Sequence, residues 1–573
     1  MRIVRLALVA VIGCSLFSSQ VQAADPLPVG AEHGMVVSAH RHASQAGVEV
    51  LRKGGNAVDA AVAVAYALAV TFPEAGNIGG GGFMMIRMHD GRQTFIDFRE
   101  VAPKAATATM YLDASGKVIP GLSTRGYKAV AVPGTVAGLE LARQKYGTKP
   151  RAELMAKAIS LASKGFTLDQ GDATMLNDGA ADFAKDAPSK AIFMKPGGSW
   201  QKGDLLVQAD LGRTLQAISD KGADAFYRGA PAASMVAASQ SHGGVLAKAD
   251  FTDYRPVERT PLECDYRGYR VISAPLPSSG GVVICEVLNI LSAYPIGELG
   301  FHSAQSVHYE TEALRRAFHD RNVNLGDPDF VKVDVAQFLS PGYAAKLREG
   351  ISANKATPSV SLGVPGVGHE GSSTTHFSIV DAQGNAVSLT YTLNDWFGAR
   401  VTAPETGILL TDEMDDFSSK PGSPNMYGLV EGVNNAIVPG KRPLSSMTPT
   451  IVTKDGKLSM VLGTPGGSHI PTGVLQVMIN MIDHGMTVTE AVNAPRIHAQ
   501  WLPDVIYYEP RALSAETMAA LAGYGHKLEQ MDYWNQIAVI LVGSPAIGAP
   551  PLGADRLYGA IDPRLPMGEV AGY

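Results

Sequence analysis

The sequence predicts an α+β fold, a four-layer αββα sandwich in which two antiparallel sheets pack face to face with helices outside. Three observations lead there. Strand patterns near the start give way to a long helical stretch, and strands and helices return after residue 374. The stretch from Ala60 to Val70 is apolar on almost every side, as a helix buried in a core must be. The segment TTHFSIVDAQGNAVSLTYTLN reads as an alternating strand, a turn and a second strand. Elements from both halves of the chain then build the layers together.

Taken in order, Met35-Val36-Val37-Ser38 is a short strand, followed by an amphipathic helix from Ala43 to Arg52 that Gly54-Gly55 ends. Asn56 caps the apolar helix. Gly79 to Gly82 precede a strand from Phe83 to Met88, a hairpin turn at Asp90-Gly91 and a return strand from Thr94 to Phe98. This glycine run follows a helix, precedes a strand and lacks a Gly-Lys-Ser/Thr ending. It therefore reads as a close-packed turn and not as a phosphate cradle. Helices follow near 134–146, 151–163, 209–220 and 230–240, then a strand at 268–274 and helices at 282–292 and 304–321. Beyond Thr374, strands are predicted at 375–381, 385–393, 448–453 and 458–463, and Gly466-Gly467 opens a helix from about 470 to 484. No internal repeat is visible.

With 46% hydrophobic and 18% charged residues among 573, the chain can bury a large core and is not of the disordered class. Its net charge is −6 with no basic stripe, which gives nucleic-acid binding no support. Residues 1–23 read as an export signal: Arg2 and Arg5 precede an apolar run from Leu6 to Phe17 and a Val21-Gln22-Ala23 cleavage pattern. The run is too short to span a bilayer. Val11-Ile12-Gly13-Cys14 also fits a lipoprotein signal, but the apolar-then-polar layout favours simple cleavage after Ala23 and a periplasmic or secreted product. The mature chain would keep Cys264 and Cys285, which are expected to be packed thiols, although export permits a disulfide. No Cys/His cluster and no HExxH motif occurs, so no metal is expected.

The sharpest local signal is Thr374. From Ile351 to Ser373 the chain is rich in Ser, Gly, Pro and Val and reads as a flexible tail, which ends abruptly at a strand. A hydroxyl residue there has the layout of a nucleophile exposed by self-cleavage. A threonine hydroxyl is weak without a base. Once the chain is cut, the new α-amino group on the same residue has an ordinary pKa near 8 and can take that part. If a turn at Asp381–Asn385 joins the two strands, Thr392 returns beside Thr374, although a strand threonine alone is usually there for β propensity. Thr464-Pro465-Gly466-Gly467-Ser468 follows a strand and opens a helix, where backbone N–H groups suit an oxyanion. His376 is expected to be structural.

These residues carry a resemblance to the γ-glutamyltranspeptidases (glutathione hydrolases), a family of N-terminal nucleophile hydrolases. It spans essentially the whole mature chain: GMVVSAH, AGVEVLRKGGNAVDAAVA, GNIGGGGF, IDFREVAPKAA, YRGYRVISAPLPSSGG, the strand pair after Ser373, GILLTDEMDDFS, KRPLSSMTPTIV, GTPGGS and NAPRIHAQWLP. The resemblance implies a large subunit of residues 24–373 and a small subunit of 374–573 that begins with the nucleophile Thr374. It further implies that Thr392 assists, that the Gly466 and Gly467 amides form the oxyanion hole, and that Arg99, Ser445 and Ser446 hold the substrate α-carboxylate. Asn394, Glu413 and Asp416 would hold its α-ammonium, and Tyr427 would belong to a lid. The chemistry fits, because a zwitterion needs a donor fork on one side and acceptors on the other. Taken singly, Arg99 could be an ion pair, the acidic run a solvated loop and the serines turn residues.

The implied activity is cleavage of γ-glutamyl amides such as glutathione through a Thr374 ester, with water, an amino acid or a peptide as acceptor. It requires no organic cofactor either. Asp395-Trp396-Phe397-Gly398 departs from the family's shared pattern beside Asn394, where it would bear on acceptor preference. Two alternatives stand: a related acylase acting on poly-γ-glutamate or cephalosporin side chains, and a non-catalytic protein that keeps the fold.

Overall fold

The computed structural model describes residues 27–363, 374–564 and 566–573. The export signal, Cys14 and Ser373 lie outside them. Two seven-stranded antiparallel sheets form the centre. The first runs, edge to edge, Glu569–Gly572, Met35–Ser38, Thr375–Val380, Ala386–Thr392, Gly81–Arg87, Gln93–Asp97, Val257–Arg259. The second runs Val29–Ala31, Leu557–Ile561, Ala538–Val542, Lys457–Gly463, Thr450–Lys454, Tyr269–Ser273, Leu262–Tyr266. Both sheets draw strands from either side of residue 374.

Period-2 side-chain alternation divides the apolar residues among three cores. Met35, Val37, Phe83, Met85, Ile451, Val461 and Ile540 fill the space between the sheets. Val36, Met84 and Ile86 point the other way, against the helices Arg41–Arg52 and Ala57–Thr71. On the far side Val271, Val452, Met460 and Leu462 meet the helices Gly280–Leu291, Ala304–Asn324 and His469–Ile482. The four-layer expectation therefore holds. Ala57–Thr71 is buried along its whole length, and its start is closed reciprocally: Asn56 accepts from Val58 and Asp59 N–H, while Asp59 accepts from Asn56 N–H. Among the described residues no helix is long and apolar enough to cross a membrane.

Two expectations need correction. Cys264 and Cys285 are not packed thiols but a disulfide, with Cα atoms 5.8 Å apart. The sequence reading placed Cys285 on a helix and missed the strand Leu262–Tyr266 that carries Cys264. That strand pairs with Tyr269–Ser273 through a turn at Arg267-Gly268, both with positive φ, and packs against the helix Gly280–Leu291. The tail 351–373 is not uniformly loose. Its first part is docked: Glu312 accepts from Thr357 N–H, Asp504 from Ser359 N–H at 2.8 Å, and the Ser359 carbonyl from Trp501 Nε1–H at 3.0 Å. Residues 364–373 lie outside the described residues.

His308, Glu312 and His526 gather beneath this docked segment with ligand atoms within 4.8 Å of one another. Glu312 is already bonded by Arg316 and Thr357, and His308 donates to the Ser352 carbonyl at 2.7 Å. The trio therefore serves to hold the segment.

Candidate active site

Thr374 immediately precedes a central strand of the first sheet and is 6% exposed. Antiparallel register sets Thr375 opposite Tyr391, which returns Thr392 to the level of Thr374. Their hydroxyl oxygens lie 3.2 Å apart. Thr392 Oγ1 also accepts from Asn394 N–H at 2.8 Å, and Asn77 Nδ2 donates to the Thr392 carbonyl at 2.9 Å. Gly80 backs onto that carbonyl so closely that a Cβ there would lie 2.1 Å from it. The glycine run is thus a close-packed turn that wedges the second threonine in place.

Arg99 leaves the strand Gln93–Asp97 by a short extension and is fully buried. Its guanidinium spans Glu413 and Asp416, with Glu100 3.7 Å away. Burial would lower its pKa, but the three carboxylates more than offset this and hold it above its ordinary value. The same burial pushes Glu413 well above the carboxylate range and Glu100 up to about 7, with Arg99 opposing both shifts. The residues expected for the two ends of a zwitterion thus meet each other directly.

Ser445 and Ser446 line the same small pocket, together with Arg99, Thr374, Thr392, Asn394, Asp416 and Gly467. Arg321 also lines it and was missed by the sequence reading. A signal existed: in the helix Ala304–Asn324, Arg321 follows Leu314, Ala317 and Phe318 at the spacing of one helical face, and all four are buried.

Gly466 and Gly467 have φ of +130° and +55° in the turn that enters the helix His469–Ile482. A Cβ on Gly467 would lie 2.3 Å from the Tyr427 ring, and one on Gly466 2.4 Å from Asn535 Nδ2. Glycine is required at both for conformation and for closeness. Tyr427 is buried against Gly467, and its Oη lies 2.7 Å from the Asn394 carbonyl and 2.9 Å from Asn394 Oδ1. Asn394 itself adopts φ of +81°, a region asparagine tolerates, and this turns the chain away after the strand Ala386–Thr392.

On its other side Thr374 faces a cavity of about 280 Å³ lined by Phe72, Trp396, Pro465, Gly466, Tyr533 and Trp534 among others. Trp396 is 43% exposed there. His376 shares a strand face with Thr374, yet its ring nitrogens contact Thr390 Oγ1 at 2.8 Å and Ser378 Oγ at 3.0 Å. Burial depresses its pKa to about 3, so it is neutral across the physiological range. The arrangement can perform acyl transfer: a paired hydroxyl at the junction of two cavities, with a helix start on one side and a charged, closed pocket beside it.

Comparison with known proteins gives the family of the chain. Residues 43–572 match the family described as Gamma-glutamyltranspeptidase. A glutathione hydrolase proenzyme from Pseudomonas sp. (strain A14) is 59% identical over 99% of this chain and 98% of its own length. The glutathione hydrolase proenzyme of Escherichia coli (strain K12) is 47% identical, with 99% of each chain covered. Among solved structures, a cephalosporin acylase from Bacillus halodurans superposes with a TM-score of 0.83 at 28% identity, covering 97% of this chain and 98% of that one. By family match and by full-length identity, the chain belongs to the gamma-glutamyltranspeptidase family.

Proposed function

We propose that this protein is an exported γ-glutamyltransferase and glutathione hydrolase, made as one chain that cuts itself between Ser373 and Thr374. The products are a large subunit, 24–373, and a small subunit, 374–573. In the precursor, Thr374 Oγ1 attacks the Ser373 carbonyl, and the Ser373–Thr374 amide C–N bond breaks as the nitrogen takes up the hydroxyl proton and becomes the free α-amine. Water opens the resulting ester to give the Ser373 carboxylate and the Thr374 hydroxyl. In the mature enzyme the freed α-amine takes the Thr374 hydroxyl proton as the oxygen attacks the γ-carbonyl of the donor. The Gly466 and Gly467 amides carry the oxyanion, and the amine product leaves with the proton. Water then yields hydrolysis, while an amino acid or peptide yields transfer.

The observation that carries this reading is the 3.2 Å pairing of Thr374 with Thr392 beside a pocket that also holds Arg99, Asn394, Asp416 and the two serines. In the proposed roles Arg99, Ser445 and Ser446 hold the α-carboxylate, and Asn394, Glu413 and Asp416 the α-ammonium. Tyr427 keeps water out as a lid. A donor would then share the Arg99–carboxylate network, which is already charge-paired and so preorganised. The open cavity beside Trp396 suits the leaving amine and the acceptor. The disulfide supports export, since disulfides persist in oxidising compartments.

The test compares a γ-glutamyl anilide with a glutaryl anilide, which lacks the α-ammonium. Clear preference for the γ-glutamyl donor is expected. Preference for the glutaryl donor would overturn the reading in favour of a cephalosporin-type acylase. Gly467→Ala is expected to displace Tyr427 and lower kcat about a hundredfold, the scale of a lost oxyanion donor. Steady-state rates on the γ-glutamyl anilide measure it.

A further inference from the structure

Arg321 is 1% exposed and makes contacts that join separate parts of the pocket. Its Nε donates to Ser279 Oγ at 3.0 Å, its Nη1 to Glu431 Oε1 at 2.5 Å, and its Nη2 to Ser446 Oγ at 3.3 Å. A guanidinium only donates, so Ser446 Oγ is the acceptor and its own proton is left for another partner. Ser445 is set in the same sense: its Oγ accepts from Met447 N–H at 3.1 Å, and its carbonyl accepts from Ser279 Oγ at 2.7 Å. Glu431 carries the connection onward to Asn435, which donates to the Asp416 carbonyl at 2.6 Å and accepts from Leu444 N–H at 2.9 Å.

We infer that Arg321 is a positioning residue for the donor's α-carboxylate: it turns the Ser446 hydroxyl proton into the pocket and, through Glu431 and Asn435, ties that serine to the Asp416 segment. The consequence is selectivity for donors with a free α-carboxylate. A serine hydroxyl has one proton and two lone pairs; with Arg321 on one lone pair, the proton is biased away from the guanidinium and toward the pocket, where an anion can accept it. The inference rests on the proposed role of Ser445 and Ser446 as carboxylate donors.

The experiment measures kcat and KM with γ-L-glutamyl-p-nitroanilide and with 4-aminobutyryl-p-nitroanilide, the same donor without its α-carboxylate. Arg321→Gln is expected to raise KM for the first by about tenfold or more, with kcat within about threefold and the second substrate little affected. Arg321→Lys, which keeps the charge opposite Glu431, should recover part of the loss, and it carries the test if Arg321→Gln does not fold. Adding Arg321→Lys to Ser446→Ala should have less effect than it has alone, because both act on one hydroxyl. Equal losses on both anilides, or fully multiplicative effects, would overturn the inference. If Ser446→Ala collapses the preference and the Arg321 variants do not, this inference fails alone. If wild type has no preference for the carboxylate-bearing donor, the donor-pocket reading fails with it.

Discussion

Thr374→Ala is expected to abolish both self-cleavage and turnover. On a denaturing gel the purified variant should run as one chain, whereas the wild type should run as two fragments, the smaller beginning Thr-Thr-His-Phe. No release of p-nitroaniline from a γ-glutamyl anilide should be detectable. The physical reason is that, in the proposed mechanism, one oxygen serves both reactions. Thr374 Oγ1 has its neighbour Thr392 Oγ1 at 3.2 Å and sits between the Gly466–Gly467 turn and the Arg99 pocket. Alanine removes the nucleophile and disturbs little else, because the strand Thr375–Val380 is anchored on both sides by its neighbours. Thr374→Ser should still cut and still turn over, more slowly, since the oxygen remains. A wild-type preparation that stays intact and inactive would favour a non-catalytic protein that keeps the fold.

Arg99→Met is expected to have the second largest effect, and on stability as well as activity. The change removes the cation that Glu413, Asp416 and Glu100 share in a largely buried site. Removing one partner of such a cluster costs about 3–5 kcal/mol. Loss of the donor fork should also lower kcat/KM for the γ-glutamyl donor at least about a hundredfold. The stability loss should depend on pH. Burial already raises Glu100 to about 7 and pushes Glu413 up as well, and Arg99 opposes both shifts; without it Glu100 and Glu413 rise further and take up protons on folding. A carboxyl raised in the folded state adds stability below its unfolded value and loses it as pH climbs through the folded value. The drop in melting temperature relative to wild type should therefore be smallest near pH 5 and largest near pH 8, as measured by thermal unfolding across that range. A drop independent of pH would show that these carboxyls do not sense Arg99.

Much of this was legible in the residues. The strand pair around Asp381–Asn385 was readable because one buried strand follows another across a polar turn, and that register alone brings Thr392 back to Thr374. The Asn56 cap was readable because its signature is local. The strands Ala538–Val542 and Glu569–Gly572 were not. The first is apolar on consecutive residues and largely buried on both faces, so no alternation marks it; the second is four residues held by pairing with Met35–Ser38. Cys264 was misjudged for the same reason: its strand is defined by pairing with Tyr269–Ser273 and by packing on a helix. Arg321 sat in view on the apolar face of its helix, but its partners did not, because Glu431 and Ser446 lie more than a hundred residues away in the chain.

The order of residues was enough to propose Thr374 as the nucleophile, to bring Thr392 beside it and to read the glycine turn and the layered architecture, since each rests on contacts close in sequence or on a simple period. Tertiary structure alone decided how charges pair: that Arg99 bridges Glu413 and Asp416, that Arg321 donates to Ser446, and that two cysteines 21 residues apart are joined. Charge pairing depends on burial and on distances between distant segments. Neither has a period that the chain could display in one dimension.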